Sequence, residues 1–323
     1  MSINEFAETL NEWGGESIPF LFLVDFEMKK PVLFRIHEID RDKLLFDLNG
    51  VTNSHAHSFM AAPFEFVRFP VTFPNYEKKY ETVRSHLAYG DSYLTNLTIK
   101  TRVTTSLSLK EIFVLSKAKY KLWFEEQFLV FSPETFVVIR DGKIFTHPMK
   151  GTIDASVPRA KEIILSDGKE MAEHVTIVDL LRNDLSQVAS DVQVTRFRYV
   201  EEIKTMHKDL LQVSSEIMGV LPADYKAHLG DILVKLLPAG SVCGAPKPRT
   251  VEIIQEAEKE PRGYYTGIMG IFDGNELDSG VMIRFMEKDG EELYYRSGGG
   301  ITMQSVAETE YQEAIDKVYV PLH

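Results

Sequence analysis

The sequence predicts a single α+β domain built from long antiparallel strands and runs of helices. Segments such as FLFLVDF and PVLFRIHEI alternate apolar with polar residues, which is the period of antiparallel strands. Asn49-Gly50 and Asp141-Gly142 are typical of tight turns between such strands. Helical segments follow one another in runs, whereas a parallel sheet requires strands and helices to alternate. With 323 residues and 44% apolar content, the chain is able to bury a substantial core.

Helices are predicted where apolar residues recur every three or four positions. The first spans residues 2–13 and ends at Gly14-Gly15, and the second spans residues 75–87. The other helical segments are KEIFVLSKAKYKLWFEEQ, PRAKEIILS, KEMAEHVTIVDLLRNDLSQVA, KDLLQVSSEIMGV, DYKAHLGDILVKLL, the stretch after Pro248 and a terminal helix from about Val306.

Strands are predicted in the segments between these helices. They are residues 19–73, SYLTNLTIKTRVTT, FLVFSPETFVVIRDGKIFTHPM, DVQVTRFRYVEEI and the hairpin stretch of residues 265–300. Residues 1–74 are expected to contribute a helix and strands that complete the sheet, and residues 75–323 to form the main region. We find no internal repeat and no low-complexity linker in the sequence.

Composition narrows the class of protein. A net charge of -12 argues against a nucleic-acid-binding surface, although an acidic protein can still hold a basic pocket. A single cysteine, Cys243, excludes an internal disulfide and a cysteine-based metal site. The first residues lack the basic start and apolar run of a signal peptide, and no later stretch is long enough to span a membrane. We therefore expect a soluble cytoplasmic protein with no membrane partner.

The stretch PAGSVCGAPKPRTVEIIQE combines a glycine-rich turn with the start of a helix. Gly240 and Gly244 allow close approach of the backbone to a ligand, and the first N–H groups of the helix lack intrahelical partners. Such a turn suits a small carboxylate. It is not a nucleotide P-loop, because Gly244 is followed by Ala-Pro-Lys247. An ordinary loop before a helix is the alternative interpretation.

Two predicted helices carry glutamates three residues apart, a spacing that places both on one face. The pairs are Glu170 with Glu173 and Glu310 with Glu313. Each helix is preceded by a pattern typical of a capping box, Asp167 with Glu170 and Ser305 with Glu308. Two such pairs could together supply the carboxylate oxygens that Mg2+ binds. Solvated helix faces are the commoner origin of this spacing.

Three further features have a structural and a chemical interpretation. Glu134 and Lys150 flank the predicted hairpin at Asp141-Gly142, where they form either a cross-strand ion pair or a proton donor with a nucleophile. Arg284, in the apolar segment VMIRF, requires an anionic partner. Gly298-Gly299-Gly300 is either a plain turn or a second place where backbone N–H groups meet an anion.

The motifs together resemble the chorismate-utilising enzymes, the family of anthranilate synthase component I. The resemblance covers roughly residues 75–320, and the motifs occur in the order of the family. They are SYLTNLT, SPETF, HPMKGT, AEHVTIVDLLRNDL, LLPAGSVCGAPKPRTVEII, RGYYTGIMGIFDG with VMIRF, and SGGGITMQSVAETEYQE. The resemblance implies antiparallel sheets packed face to face with helices outside, and a shortened N-terminal part.

The resemblance also implies a ligand set. Mg2+ would be held by Glu173 and Glu313, with Glu170 and Glu310 close by. Glu134 would be the general acid that protonates the leaving hydroxyl of chorismate, and Lys150 a covalent nucleophile. The positions that would line the substrate site are Thr152, Gly240, Ser241, Tyr265, Arg284, Gly298, Gly299, Gly300 and Lys317.

Lys150 distinguishes subfamilies within this resemblance. Anthranilate, isochorismate and salicylate synthases typically carry alanine there, whereas aminodeoxychorismate synthases carry lysine. The resemblance therefore implies amination of chorismate at C4 to 4-amino-4-deoxychorismate, in 4-aminobenzoate and folate biosynthesis. Ammonia would come from a separate glutamine amidotransferase, since the only cysteine lies in the glycine turn.

Departures from the family pattern leave alternatives open. Leu94 replaces a polar residue in YLTNLT, which argues against isochorismate synthase activity, and Cys243 replaces the common threonine of the glycine turn. The alternatives are anthranilate synthase component I, a non-catalytic relative that binds chorismate or a partner subunit, and an unrelated α+β scaffold. The two glutamate pairs, Arg284 and Lys150 argue against the non-catalytic relative.

Overall fold

A computed structural model describes residues 1–54, 64–125, 127–203 and 209–321. Its helices are α1 (Ile3–Gly15), α2 (Phe73–Tyr89), α3 (Leu109–Leu115), α4 (Ala160–Ser166), α5 (Gly168–Leu185), α6 (Leu229–Leu236), α7 (Lys247–Glu258) and α8 (Ala307–Asp316). The parts of the sequence-based predictions that fall on residues 55–63, 126, 204–208 and 322–323 lie outside the described residues. Within the described ranges, no helix is both long and apolar enough to cross a membrane.

The strands form two antiparallel sheets. They are β1 (Phe20–Val24), β2 (Val32–Arg35), β3 (Leu44–Leu48), β4 (Val51–Thr52), β5 (Phe66–Phe69), β6 (Leu94–Thr105), β7 (Tyr120–Phe124), β8 (Phe128–Ser132), β9 (Thr135–Arg140), β10 (Lys143–Thr146), β11 (Met149–Asp154), β12 (Ser190–Ile203), β13 (Leu210–Val220), β14 (Gly244–Ala245), β15 (Ile268–Phe272), β16 (Leu277–Val281), β17 (Phe285–Asp289) and β18 (Glu292–Ile301). The first sheet has the order β11-β13-β10-β9-β16-β15-β1-β2, with β12 also paired to β13. The second has the order β14-β6-β18-β17-β8-β7-β3-β4, with β5 also paired to β6.

The two sheets pack face to face. Strand β1 is apolar throughout because both of its faces are covered. Leu21 and Leu23 point into a core shared with Phe46 of β3 and Leu122 of β7, in the other sheet. Phe20, Phe22 and Val24 point to the opposite face, where α1, α5 and α6 cover the first sheet. Successive side chains of a strand alternate between faces, so a strand covered on both sides needs apolar residues at every position.

Helices cover the outer faces of both sheets, as the resemblance implied. On the second sheet, α2, α7 and α8 pack over Leu97 and Ile99 of β6. On the first sheet, α1 and α6 approach so closely that a Cβ on Gly230 would lie 2.1 Å from the carbonyl oxygen of Ala7. The predicted α+β fold with packed antiparallel sheets is therefore confirmed. Strands from residues 1–74 join both sheets.

One predicted helix is wrong, and a second is right only in its first part. KDLLQVSSEIMGV contains the strand β13, which pairs with β10, β11 and β12. Among the described residues of KEIFVLSKAKYKLWFEEQ, only 110–115 are helical, as part of α3, and residues 120–124 form β7 between β3 and β8. Both segments have apolar residues at spacings that suit a helix, but pairing with neighbouring strands satisfies their backbone groups.

Of the two predicted capping boxes, the one at α5 is confirmed only for its N-cap hydrogen bond, and the one at α8 is wrong. At α5, Asp167 Oδ1 accepts a hydrogen bond from the Glu170 backbone N–H at 2.9 Å, as expected of an N-cap. At α8 the N-cap is Val306, which provides no side-chain cap. Ser305 Oγ instead accepts the backbone N–H of Thr302 at 3.1 Å, so Glu308 has no box to complete.

Candidate active site

A cavity of about 1010 Å³ lies where the glycine turn, β11, β18, α5 and α8 meet. All the residues predicted from the sequence to form the site border this one cavity. They are Glu134, Lys150, Thr152, Glu170, Glu173, Gly240, Ser241, Tyr265, Arg284, Gly298, Gly299, Gly300, Glu310, Glu313 and Lys317. They come from segments spread over most of the chain, so the fold brings together groups that the sequence separates.

Lys150 projects from β11 toward α5 and forms an ion pair there. Its Nζ lies 2.6 Å from Oε2 of Glu173, whose side chain is only 9% exposed. Burial lowers the pKa of Lys150, but the carboxylates of Glu173, Glu170 and Glu313 raise it, and the net shift is upward. Lys150 is therefore an ammonium in this arrangement. The predicted alternative, a cross-strand pair between Lys150 and Glu134, is not the one formed.

Glu134 lies between β8 and β9, and its carboxylate faces the cavity beside the glycine turn. Ser241, from the turn, donates its hydroxyl hydrogen to Oε1 of Glu134. Burial raises the pKa of Glu134, and the Ser241 hydrogen bond together with the charges of Lys150 and Lys317 offsets only part of that shift. A carboxyl group with a raised pKa retains its proton at higher pH, which is what a general acid requires.

The glycines of β18 make room for charged groups on both faces of the strand. A Cβ on Gly299 would lie 3.5 Å from Glu313 Oε1 and 3.6 Å from Lys317 Nζ. A Cβ on Gly300 would lie 2.8 Å from Leu94 Cδ1 and 3.8 Å from Lys150 Nζ. These glycines belong to the strand, which corrects the prediction that they form a turn before the terminal helix.

Lys317 and Arg284 supply positive charge at the α8 end of the cavity. Lys317 Nζ lies 2.6 Å from Glu313 Oε1 and donates to the Gly298 carbonyl oxygen at 2.9 Å. Arg284 lies between β16 and β17, not within a strand as predicted, and its φ is 53°. A positive φ is unfavourable for arginine, a strain that is commonly found at functional sites. Its Nη1 donates to the Lys317 carbonyl oxygen at 2.8 Å.

A buried ion pair and a buried arginine hold the glycine turn in place. Lys247 Nζ lies 2.6 Å from Asp184 Oδ2 of α5, and both side chains are largely buried. A Cβ on Gly240 would lie 2.9 Å from the same Asp184 oxygen. On the other side, Arg262 donates to the carbonyl oxygens of Val242 and Asn96, each at 2.8 Å. Protein contacts therefore hold the turn against α5 and β6.

The four glutamates have the chemistry of a Mg2+ site. Glu170 and Glu173 of α5 and Glu310 and Glu313 of α8 border the same cavity. Among the residues that the structure describes, no group of three or more His, Cys, Asp or Glu side chains is arranged to hold a metal ion. Mg2+ usually binds through one or two carboxylates with water and substrate oxygens, so the donors fit the ion. The Mg2+ site stays a prediction.

The sequence-based reasoning missed several polar side chains of the cavity wall, among them His147, Gln212, Arg296 and the following two. Asn96 of β6 and Ser297 of β18 both border the cavity. Within the described part of the chain, neither Asn96 Oδ1 nor Ser297 Oγ has a hydrogen-bond partner, although both atoms are buried. Asn96 lies in the motif SYLTNLT and Ser297 in SGGG. The alternation of side chains along a strand, counted from the neighbouring glycines, could have indicated that these residues face the site.

Comparisons with known proteins identify the family and the fold of the chain. The family model of chorismate binding enzymes matches residues 35–323. The chain is 48% identical over 321 residues to an uncharacterized PabA-like protein of Haemophilus influenzae, covering 99% of this chain and 98% of that protein. Over 98% of this chain and 81% of the other, the fold matches the menaquinone-specific isochorismate synthase of Escherichia coli with a TM-score of 0.75 and 16% identity.

Relatives with named activities match over part of their length. The chain is 36% identical over 254 residues to anthranilate synthase component 1 of Archaeoglobus fulgidus, covering 75% of this chain and 60% of the relative. It is 32% identical over 266 residues to aminodeoxychorismate synthase component 1 of Bacillus subtilis, covering 77% of this chain and 55% of the relative. The chain belongs to the chorismate binding enzymes, and the resemblance inferred from its motifs is confirmed.

Proposed function

We propose that this chain aminates chorismate at C4 to form 4-amino-4-deoxychorismate, through a covalent adduct on Lys150. The observation that carries the proposal is the position of Lys150, whose Nζ reaches the cavity beside Glu173 while Glu134 borders the same space. The similarity to aminodeoxychorismate synthase component 1 supports it. Ammonia would be supplied by a glutamine amidotransferase partner, and the product would serve 4-aminobenzoate and folate synthesis.

In the first half of the reaction, the neutral Lys150 amine attacks C2 of chorismate. The electrons of the two ring double bonds shift toward C4, the C4–O bond breaks, and Glu134 donates its proton so that water leaves. Lys150 becomes a secondary ammonium bonded to C2. Because Lys150 is an ammonium in the resting arrangement, it must lose one proton before the first attack.

In the second half, ammonia attacks C4 and the double bonds return to their original positions. The C2–N bond breaks, its electrons return to Lys150, and the amine leaves neutral. The new C4 ammonium gives one proton to the Glu134 carboxylate, which restores the acid. The sum is chorismate plus ammonia giving aminodeoxychorismate plus water, so the enzyme returns unchanged and ready for another turnover.

The remaining groups would bind and orient the substrate. Chorismate carries two carboxylates, and Arg284, Lys317 and the backbone N–H groups of the two glycine segments are suited to anions. Glu173 and Glu313, assisted by Glu170 and Glu310, would hold Mg2+. When bound, Mg2+ supplies positive charge that offsets and orients a substrate carboxylate.

The deciding experiment is mass-resolved product analysis of the purified chain incubated with chorismate, Mg2+ and ammonium. A product that retains the enolpyruvyl group, at the mass of aminodeoxychorismate, is expected. Anthranilate with pyruvate would establish the second candidate, anthranilate synthase component I, which the relative at 36% identity favours. Binding of chorismate without turnover at saturation would establish a non-catalytic relative.

A further inference from the structure

Ser297 has an unusual environment on β18. Its side chain is 4% exposed and it borders the cavity. Among the described residues, its hydroxyl oxygen has no hydrogen-bond partner. A buried hydroxyl without a partner costs free energy, so such a group in a cavity wall is expected to meet a ligand.

The position of Ser297 relative to Arg284 indicates which part of a ligand it meets. The ladder between β17 and β18 ends at the pair Phe285 and Arg296. Arg284 immediately precedes β17, and Ser297 follows Arg296 on β18, so the two residues flank this last pair. Tyr295 lies on the same face of β18 as Ser297 and donates its hydroxyl hydrogen to the Tyr319 carbonyl oxygen at 3.0 Å. The Arg284 guanidinium lies 5.0 Å from the centroid of the Tyr319 ring, so Arg284 is on this same side of the strand.

A second cation lies beside the same segment. Lys317 Nζ donates to the carbonyl oxygen of Gly298, the residue after Ser297. The Ser297 hydroxyl thus lies at the α8 end of the cavity, near Arg284 and Lys317, where Lys317 is also paired with Glu313. Glu170 and Glu173 lie on α5. An anionic group bound at this end would accept a hydrogen bond from Ser297 in addition to the charges of Arg284 and Lys317.

We propose that the Ser297 hydroxyl binds the substrate carboxylate that Arg284 holds. The inference rests on the proposed function, because it takes chorismate as the occupant of the cavity. Ser297 acts on binding and orientation and takes no part in proton transfer. The hydroxyl donates to one carboxylate oxygen, and the guanidinium can donate to the same carboxylate.

The test measures equilibrium binding of chorismate, with Mg2+ present and ammonia absent, together with thermal unfolding. All proteins compared carry Lys150→Ala so that no covalent adduct forms, and the unchanged protein of this test is the one that keeps Ser297. Ser297→Ala is expected to weaken binding roughly tenfold or more, the effect of losing a hydrogen bond to a charged group. Its Tm should be unchanged or higher, because a buried hydroxyl without a partner is removed. The matched control is Thr101→Val. Thr101 Oγ1 is likewise buried and without a partner among the described residues, but Thr101 does not border the cavity.

Each outcome is decisive. Weaker binding in Ser297→Ala only, with Tm maintained, supports the inference, and a clearly lower Tm would indicate a structural role and overturn it. Equal binding by the variant and the unchanged protein would overturn it and leave the proposed function intact. Absence of chorismate binding by the unchanged protein would reject the proposed function itself.

A combined variant tests whether the two side chains bind the same group. In an Arg284→Gln background, the effect of Ser297→Ala should be smaller, because the carboxylate is no longer held in place. Additive effects would place the hydroxyl on another part of the substrate and would overturn the assignment to this carboxylate.

Discussion

Lys150 Nζ and Glu173 Oε2 lie 2.6 Å apart, although one residue belongs to β11 and the other to α5. The contact joins the proposed nucleophile to a proposed metal ligand. It also fixes the protonation of Lys150, because Glu173 is the strongest of the carboxylates that raise its pKa. The proposed chemistry requires this ion pair to loosen when substrate binds, so that a neutral amine is released.

Replacing Lys150 with alanine should abolish amination while the fold is retained. In the unchanged protein, incubation with chorismate and Mg2+ without ammonium should allow the adduct to form. Denaturing mass spectrometry should then detect, on Lys150, a mass increase equal to chorismate minus water. Lys143→Ala, at an exposed position of β10, is the control and should retain both amination and adduct formation. Amination that continues in Lys150→Ala would exclude a covalent role.

The pH dependence of the reaction should report on Glu134. Amination requires its protonated form, so the rate should decline as pH rises through its raised pKa. Ser241→Ala removes a hydrogen bond that lowers this pKa, and the decline should therefore move to higher pH. The measurement is kcat against pH with Ser85→Ala, on the exposed surface of α2, as control. A decline at the same pH in Ser241→Ala would assign it to another group.

Replacing Glu313 with glutamine should impair the response to Mg2+. The change removes one charge from the proposed ligand set, and the Mg2+ concentration for half-maximal activity should rise on the order of tenfold or more. The measurement is a Mg2+ titration of product formation. Glu162→Gln, on the exposed surface of α4, should show the unchanged response. If Glu313→Gln matched this control, Glu313 would not be a ligand.

Replacing Arg262 with alanine should destabilise the protein strongly. Arg262 forms two hydrogen bonds with Glu258, at 2.9 and 2.7 Å, and both side chains are 1% exposed. Its loss leaves a buried carboxylate unpaired, which costs about 3–5 kcal/mol. Arg182→Ala, which breaks an exposed pair with Asp179, should cost less than about 1 kcal/mol. Urea unfolding of the two variants measures the difference, and equal midpoints would contradict the prediction.

Local patterns predicted much of the fold. The α1 and α2 helices and the turn at Asp141-Gly142 were found because their signals are carried by adjacent residues. The helix predicted at residues 208–220 failed because β13 is stabilised by strands on both sides, and this pairing is invisible in the segment itself. The sequence analysis placed Arg284 inside a strand because apolar residues continue on both sides of it, although the chain bends at this residue.

The sequence alone determined the charged groups proposed for the candidate site, because each stands in a motif whose residue types are local, although it missed Asn96 and Ser297. Lys150 in HPMKGT and the glutamates of the AEH and EYQE motifs were all identified without coordinates. Only the tertiary structure decided which groups meet. Lys150 binds Glu173 across 23 positions, and Ser241 binds Glu134 across 107. Such contacts depend on how sheets and helices pack, since partners far apart in the chain are brought together only by folding.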